Sequence, residues 1–95
     1  MLPSELKIGG ILYTVALIDP TDDTGVDGHV NYEQQKIQVK ANMAYDYTNQ
    51  VFLHEVFHAI FEHCGLDQDE SVVDRLAHCL YQVLKDNKLT FQKEV

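Results

Sequence analysis

Between Val51 and Phe61 the chain is apolar nearly all round a helical circumference: Val51, Phe52, Leu53, Val56, Phe57, Ala59, Ile60 and Phe61 are interrupted near the centre only by His54, Glu55 and His58. A helix without a polar face has to lie inside its domain, so this stretch fixes the centre of whatever fold forms around it. Burying two imidazoles and a carboxylate without partners is costly. The fold must therefore supply those partners. Positions four apart stack on one face of a helix, so His54 and His58 can hold one metal ion between them. The alternative is a pair of histidines satisfied by hydrogen bonds, with Glu55 at the surface.

The run His54-Glu55-Val56-Phe57-His58 has the HExxH pattern. Its chemistry is that of a zinc peptidase: two imidazole ligands, with the carboxylate next to the first placed to act as base on a metal-associated water. A catalytic zinc takes three protein ligands and keeps one place open. A metzincin would place its third ligand at a histidine six residues after His58, following a glycine three residues after it, but Cys64 and Phe61 stand there. His63 is one residue out of register and reads instead as a helix C-terminal histidine favoured by the macrodipole. Glu62 shares the histidine face, but three ligands along one straight helix converge poorly. A ligand from a second helix is easier. Glu70 lies twelve residues after His58, just past the Gly65 turn, and an antiparallel return brings it back along the first helix. Asp74, one turn later, can orient a ligand imidazole through its free N–H, and His78 and Tyr81 continue the same side. Two alternatives stay open for this region. Asp67 and Glu70 have the spacing of a capping box, and Asp69 or Asp74 can be the ligand in place of Glu70. His78 and Tyr81 likewise read as solvated or packing residues unless one of them steadies the oxyanion or the leaving amine.

The rest of the chain is organised simply. Its 95 residues suit one domain. A β-rich part spans residues 1–42, the metal-binding helix 43–65, a second helix 67–85 and a polar tail 86–95. Leu6–Ile8 and Ile11–Ile18 read as strands around a Gly9-Gly10 turn, and Ile11, Tyr13, Val15 and Leu17 alternate with the other face. Asp19–Gly28 is an acidic loop without EF-hand spacing. His29–Tyr32 and Lys36–Val39 form a short hairpin through Glu33-Gln34-Gln35. Gly65 is placed to close the first helix. Val73, Leu76, Ala77, Leu80 and Leu84 give the second helix its apolar face. The fold class expected is α+β: a small antiparallel sheet of about three or four strands followed by two packed helices.

A net charge of −8 with only 7 Lys plus Arg argues against nucleic acid and against an anionic membrane surface as partners. No apolar run is long enough to span a bilayer, and MLPSELKIGG lacks the pattern of a signal peptide. Cys64 and Cys79 read as buried or half-buried free thiols of a reducing cytosol.

The segment LHEVFHAIFEHCGLDQDESVVDRLAHCLYQVLKDN resembles the ImmA/IrrE-type metallopeptidases, in the small form found in phages and prophages of Gram-positive bacteria. ESVVDRLA is similar to that family's E-x-x-A-(N/D)-x-F-A pattern, with Val73, Asp74, Leu76 and Ala77 at the corresponding positions. The resemblance covers about half the chain. It implies a minimal zincin with one Zn2+ per chain held by His54, His58 and Glu70, and Glu55 as the catalytic base. It further implies a protein or peptide substrate, regulatory proteins included, met in the bacterial host cytoplasm. The expected substrate mode is an extended segment added beside an edge strand, with Lys36–Val39 as the candidate edge. Two histidines and a carboxylate also accept other divalent ions, non-haem iron among them. A competing expectation is a phage-encoded binding or structural protein whose zinc is closed by a fourth protein ligand, for which Cys64, His63 and His78 are available, or an inactive zincin that binds without cutting.

Overall fold

The structure is a computed structural model that describes residues 2–19 and 25–89. The middle of the acidic loop, residues 20–24, and the tail from 90 onward lie outside the described residues. Four strands, β1 (Glu5–Ile8), β2 (Ile11–Ile18), β3 (Gly28–Asn31) and β4 (Lys36–Lys40), precede two helices, α1 (Tyr45–Cys64) and α2 (Glu70–Asn87).

The β1–β2 hairpin turns on Gly9 and Gly10, both at positive φ, 59° and 81°, the pair of left-handed residues that a tight two-residue hairpin needs. Gly9 has a second reason to be glycine, because a Cβ there would stand 2.3 Å from the His63 ring. The sheet order is β1-β2-β4-β3. The β1–β2 and β3–β4 pairs are antiparallel, but β2 and β4 run parallel, with Val15 beside Ile37 and Leu17 beside Val39. The sheet is therefore mixed, not antiparallel. β3 takes the far edge, and its hairpin partner β4 lies between it and β2. The expectation that Lys36–Val39 is an edge strand is overturned by the same fact: β4 is central, and β3 and β1 are the edges.

One face of this sheet is covered by α1 and the other faces solvent, the usual state of a two-layer fold. Ile37 and Val39 are fully buried on the helix side, while Lys36, Gln38 and Lys40 alternate outward. With Ile8, Tyr13, Val51, Phe52 and Ala59 they form the core. The alternation read along β2 holds at Tyr13 and Val15 but fails at its ends, where Ile11 and Leu17 are exposed. Helix α2 packs on α1 and not on the sheet. Its buried contacts are Val73 and Ala77, whereas Leu76 and Leu80 of the expected apolar face are exposed. Tyr81, Asp46 and Lys85 fasten the far end of this helix pair: the Tyr81 hydroxyl donates to Asp46 Oδ1 at 2.6 Å and Lys85 Nζ does so at 3.0 Å.

Helix α1 ends in a Schellman turn. Gly65 sits at φ 70°, its N–H bonding Glu62 O at 3.3 Å, and Leu66 N–H reaches Phe61 O at 2.9 Å. Asp69 then caps α2, its Oδ1 accepting from Ser71 N–H at 2.9 Å and Val72 N–H at 3.3 Å. Asp69, not Asp67, is the N-cap, so Glu70 is the first helical residue and its carboxylate is not spent on a capping box. Both cysteines are free and exposed, not buried as expected. No helix among the described residues is long and apolar enough to cross a membrane.

Candidate metal centre

Helix α1 presents His54 and His58 side by side toward α2, and the short 66–69 connection returns the chain so that Glu70 meets both. Glu70 Oε2 lies 3.0 Å from His54 Nε2, and Glu70 Oε1 lies 2.5 Å from His58 Nε2. The two Nε2 atoms are 3.1 Å apart. Among the described residues His54, His58 and Glu70 form the group able to hold a metal ion.

The opposite ring nitrogens fix what these Nε2 atoms are. His54 Nδ1 faces Asp74 Oδ1 at 3.4 Å. His58 Nδ1 faces Gln68 Oε1 at 2.7 Å, and Gln68 Nε2 donates to the His58 carbonyl at 2.9 Å. A carbonyl only accepts, so the Gln68 amide can be oriented one way alone, with its oxygen toward the ring. Both Nδ1 atoms therefore carry a proton. With each ring neutral, both Nε2 lone pairs point at each other and at a carboxylate, and three such acceptors repel unless a cation, a metal ion or a shared proton, sits among them. Four ligands at zinc–nitrogen bond lengths stand about 3.3 Å apart at the corners of a tetrahedron, close to the 3.0 and 3.1 Å of two of the spacings found and wider than the 2.5 Å between His58 and Glu70. The residues present fit a metal on the chemistry of the donor set.

Glu55 points to the sheet side of this cluster. It is the one buried polar or charged residue among those described, 8% exposed, and no hydrogen bond among the described residues holds its carboxylate. Burial pushes its pKa up, against the downward pull of His54 and His58. Gly28 of β3 lies directly over it: a Cβ on Gly28 would stand 3.1 Å from Glu55 Cγ and Oε2 and 2.7 Å from Val51 Cγ1. The space above the Glu55 carboxylate exists because position 28 has no side chain.

The remaining residues read from the sequence divide cleanly. Asp74 stands behind His54. His78 borders the same cavity and directs its Nδ1 to the Asp74 backbone carbonyl at 2.9 Å. Tyr81 is not brought to the cluster. It serves the Asp46–Lys85 clamp, and its hydroxyl also accepts from Asn49 at 3.1 Å. His63 packs over Gly9, and neither it nor Cys64 or Glu62 belongs to the metal group. Gln68, which does for His58 what Asp74 does for His54, was missed, as was Tyr32, whose hydroxyl donates to the His58 carbonyl at 3.3 Å. The available signal for Gln68 was its place in a four-residue connection that must pass the second histidine.

The cluster lies in a cleft. On one side a cavity of about 430 Å3 reaches toward Asp27 and Tyr47, and on the other a shallower depression reaches toward Tyr32 and Gln68. Gly28, Glu55 and Glu70 border both. Edge strand β3 runs beside the cleft. The ladder bond from Lys40 N–H to Asp27 O sets the alternation, so His29 and Asn31 bond toward β4 while Gly28 and Val30 turn their N–H and C=O groups to the free edge.

Comparison with family models, with curated proteins and with solved structures returned no match for this chain.

Proposed function

We propose that this chain is a zinc-dependent metallopeptidase, a minimal zincin of the ImmA/IrrE type, that hydrolyses peptide bonds of a protein substrate in the cytoplasm. The observation that carries this reading is the convergence of His54 Nε2, His58 Nε2 and the Glu70 carboxylate, with both imidazoles oriented from behind, beside a buried carboxylate that nothing else occupies.

A zinc ion held by His54, His58 and Glu70 would supply a Lewis acid that acidifies water and polarises a carbonyl. Glu55 accepts the proton of the attacking water and returns it to the leaving amine. Its buried setting, which raises its pKa, favours that alternation between charged and neutral forms. Asp74 and Gln68 keep the two imidazoles in the tautomer that leaves Nε2 free. The free backbone groups of Gly28 and Val30 hold the substrate as an added strand, which passes over Glu55 where Gly28 leaves room. The three-residue donor set favours a catalytic over a purely stabilising ion, because a structural zinc takes four protein ligands and neither Cys64 nor His63 stands at the cluster.

Glu55→Gln tests the mechanism. The variant should retain zinc and lose cleavage of a complex peptide mixture by at least about a hundredfold, the usual effect of removing a general base. Wild-type cleavage by the variant would exclude Glu55 as the base.

A further inference from the structure

The cavity beyond the metal cluster is a built pocket with its own chemistry. It opens from His54 and Glu55 and is closed by three elements: Val26 and Asp27 ahead of β3, Tyr47, Gln50 and Val51 on the first turns of α1, and Asp74 and His78 on α2. Its volume, about 430 Å3, lies within the range of small-ligand pockets and is ample for one side chain. Val26 and Val51 give it apolar walls, and four carboxylates, Asp27, Glu55, Glu70 and Asp74, dominate its polar lining. Asp27 receives the Tyr47 hydroxyl on Oδ2, and its other oxygen forms a long, half-exposed ion pair with Lys40 Nζ at 4.0 Å, which a closer cation can displace. Asp74 adds a second carboxylate on the opposite wall. Glu55 borders the inner end, nine-tenths buried and without a hydrogen bond among the described residues.

A cavity with apolar walls and a carboxylate-rich polar lining matches one class of substrate side chain: an aliphatic stem with a cationic head. We propose that this cavity is a specificity pocket for Lys or Arg at a fixed position beside the cleaved bond, with Asp27 as the group that receives the charged head. This rests on the peptidase reading above and deepens it by naming what the site selects. An acidic residue would meet Asp27 and Asp74 with like charge, and a short apolar residue would gain nothing from Asp27.

The test uses the zinc-reconstituted full chain and an equimolar peptide library in which each position is varied, with cleavage sites read by mass spectrometry. In parallel, fluorescein-labelled peptides carrying Lys, Arg, Leu or Glu at the selected position are bound to the zinc-reconstituted Glu55→Gln variant and followed by anisotropy. Lys and Arg should be enriched at one position next to the cut, and the cationic peptides should bind about tenfold tighter than the Leu peptide, the scale of one charge-assisted hydrogen bond. Asp27→Asn, which keeps the shape and can still accept from Tyr47, should erase that preference while cleavage of Leu peptides persists. Cleavage without a basic preference, or a preference that survives Asp27→Asn, overturns the pocket and leaves the peptidase reading standing. No cleavage and no binding of any peptide overturns both.

Discussion

Replacing Gln68 by leucine removes two bonds to one histidine, and their separate consequences are measurable. The first, from His58 Nδ1–H to Gln68 Oε1 at 2.7 Å, holds the tautomer that directs the Nε2 lone pair at the cluster. The second, from Gln68 Nε2 to the His58 carbonyl at 2.9 Å, ties the inter-helix connection to α1. Loss of a partner behind a metal-ligating histidine weakens metal binding about 10–100-fold, equivalent to about 1.4–2.7 kcal/mol. The cost to the metal-free fold is smaller, about 1 kcal/mol, because both bonds lie in an exposed connection where water replaces them. Zinc competition against a chromophoric chelator reads the first quantity, and thermal melting in excess chelator reads the second. Gln68→Glu, which keeps an acceptor facing Nδ1, should recover most of the affinity. A leucine variant that binds zinc within twofold of wild type would refute the claim that Gln68 sets the orientation of His58.

Three further expectations follow from the same geometry. Gly28→Ala would place a methyl group 2.7 Å from Val51 Cγ1 and 3.1 Å from Glu55, so overpacking should cost about 1–3 kcal/mol of stability. A melting temperature equal to wild type would mean that β3 does not lie over Glu55. The hydrogen bonds from Tyr81 and then Lys85 hold the Asp46 carboxyl below its usual range. Its stabilisation is therefore present above the ordinary carboxylate pKa and is lost as the pH falls below that value toward the depressed folded one. In Asp46→Asn the acid-side fall in stability should be shallower over that window, as followed by denaturant melts across pH, and an unchanged slope would count against the clamp. Finally, because Asp74 stands 3.4 Å behind His54, Asp74→Ala should weaken zinc binding about tenfold or more without removing it, and full affinity in the variant would remove Asp74 from the site.

The His54–His58–Glu70 grouping was legible in the sequence because it depends on local geometry. The i, i+4 spacing of His54 and His58, the Gly65 stop and the shortness of the connection to Glu70 together allow few arrangements, and they bring the three ligands together. The Gly9-Gly10 turn was legible for the same reason. What was not legible depends on long-range pairing. Nothing in the composition of β3 and β4 says which of them enters the sheet beside β2, because either can pair with it through backbone hydrogen bonds alone. The reading of Lys36–Val39 as an edge therefore fails, and the edge strand beside the cleft is Gly28–Asn31. Tyr81 shares a helix face with Asp74 by periodicity, but seven residues are about 10 Å of helix, which carries its hydroxyl away from the histidines to Asp46. The capping-box reading puts the cap at Asp67, and the structure puts it at Asp69. The choice between them follows from the path of the connection, which Gln68 pins to His58, and that choice frees Glu70.

The most direct test of the account is metal content, measured by elemental mass spectrometry on protein purified without added metal, for wild type and Glu70→Ala together. Convergence of His54, His58 and Glu70 on one ion predicts about one zinc per chain in the wild type and markedly less in the variant, with the fold of both intact by circular dichroism. A wild-type chain that holds no metal even after reconstitution, or a variant that keeps its full complement, would contradict it.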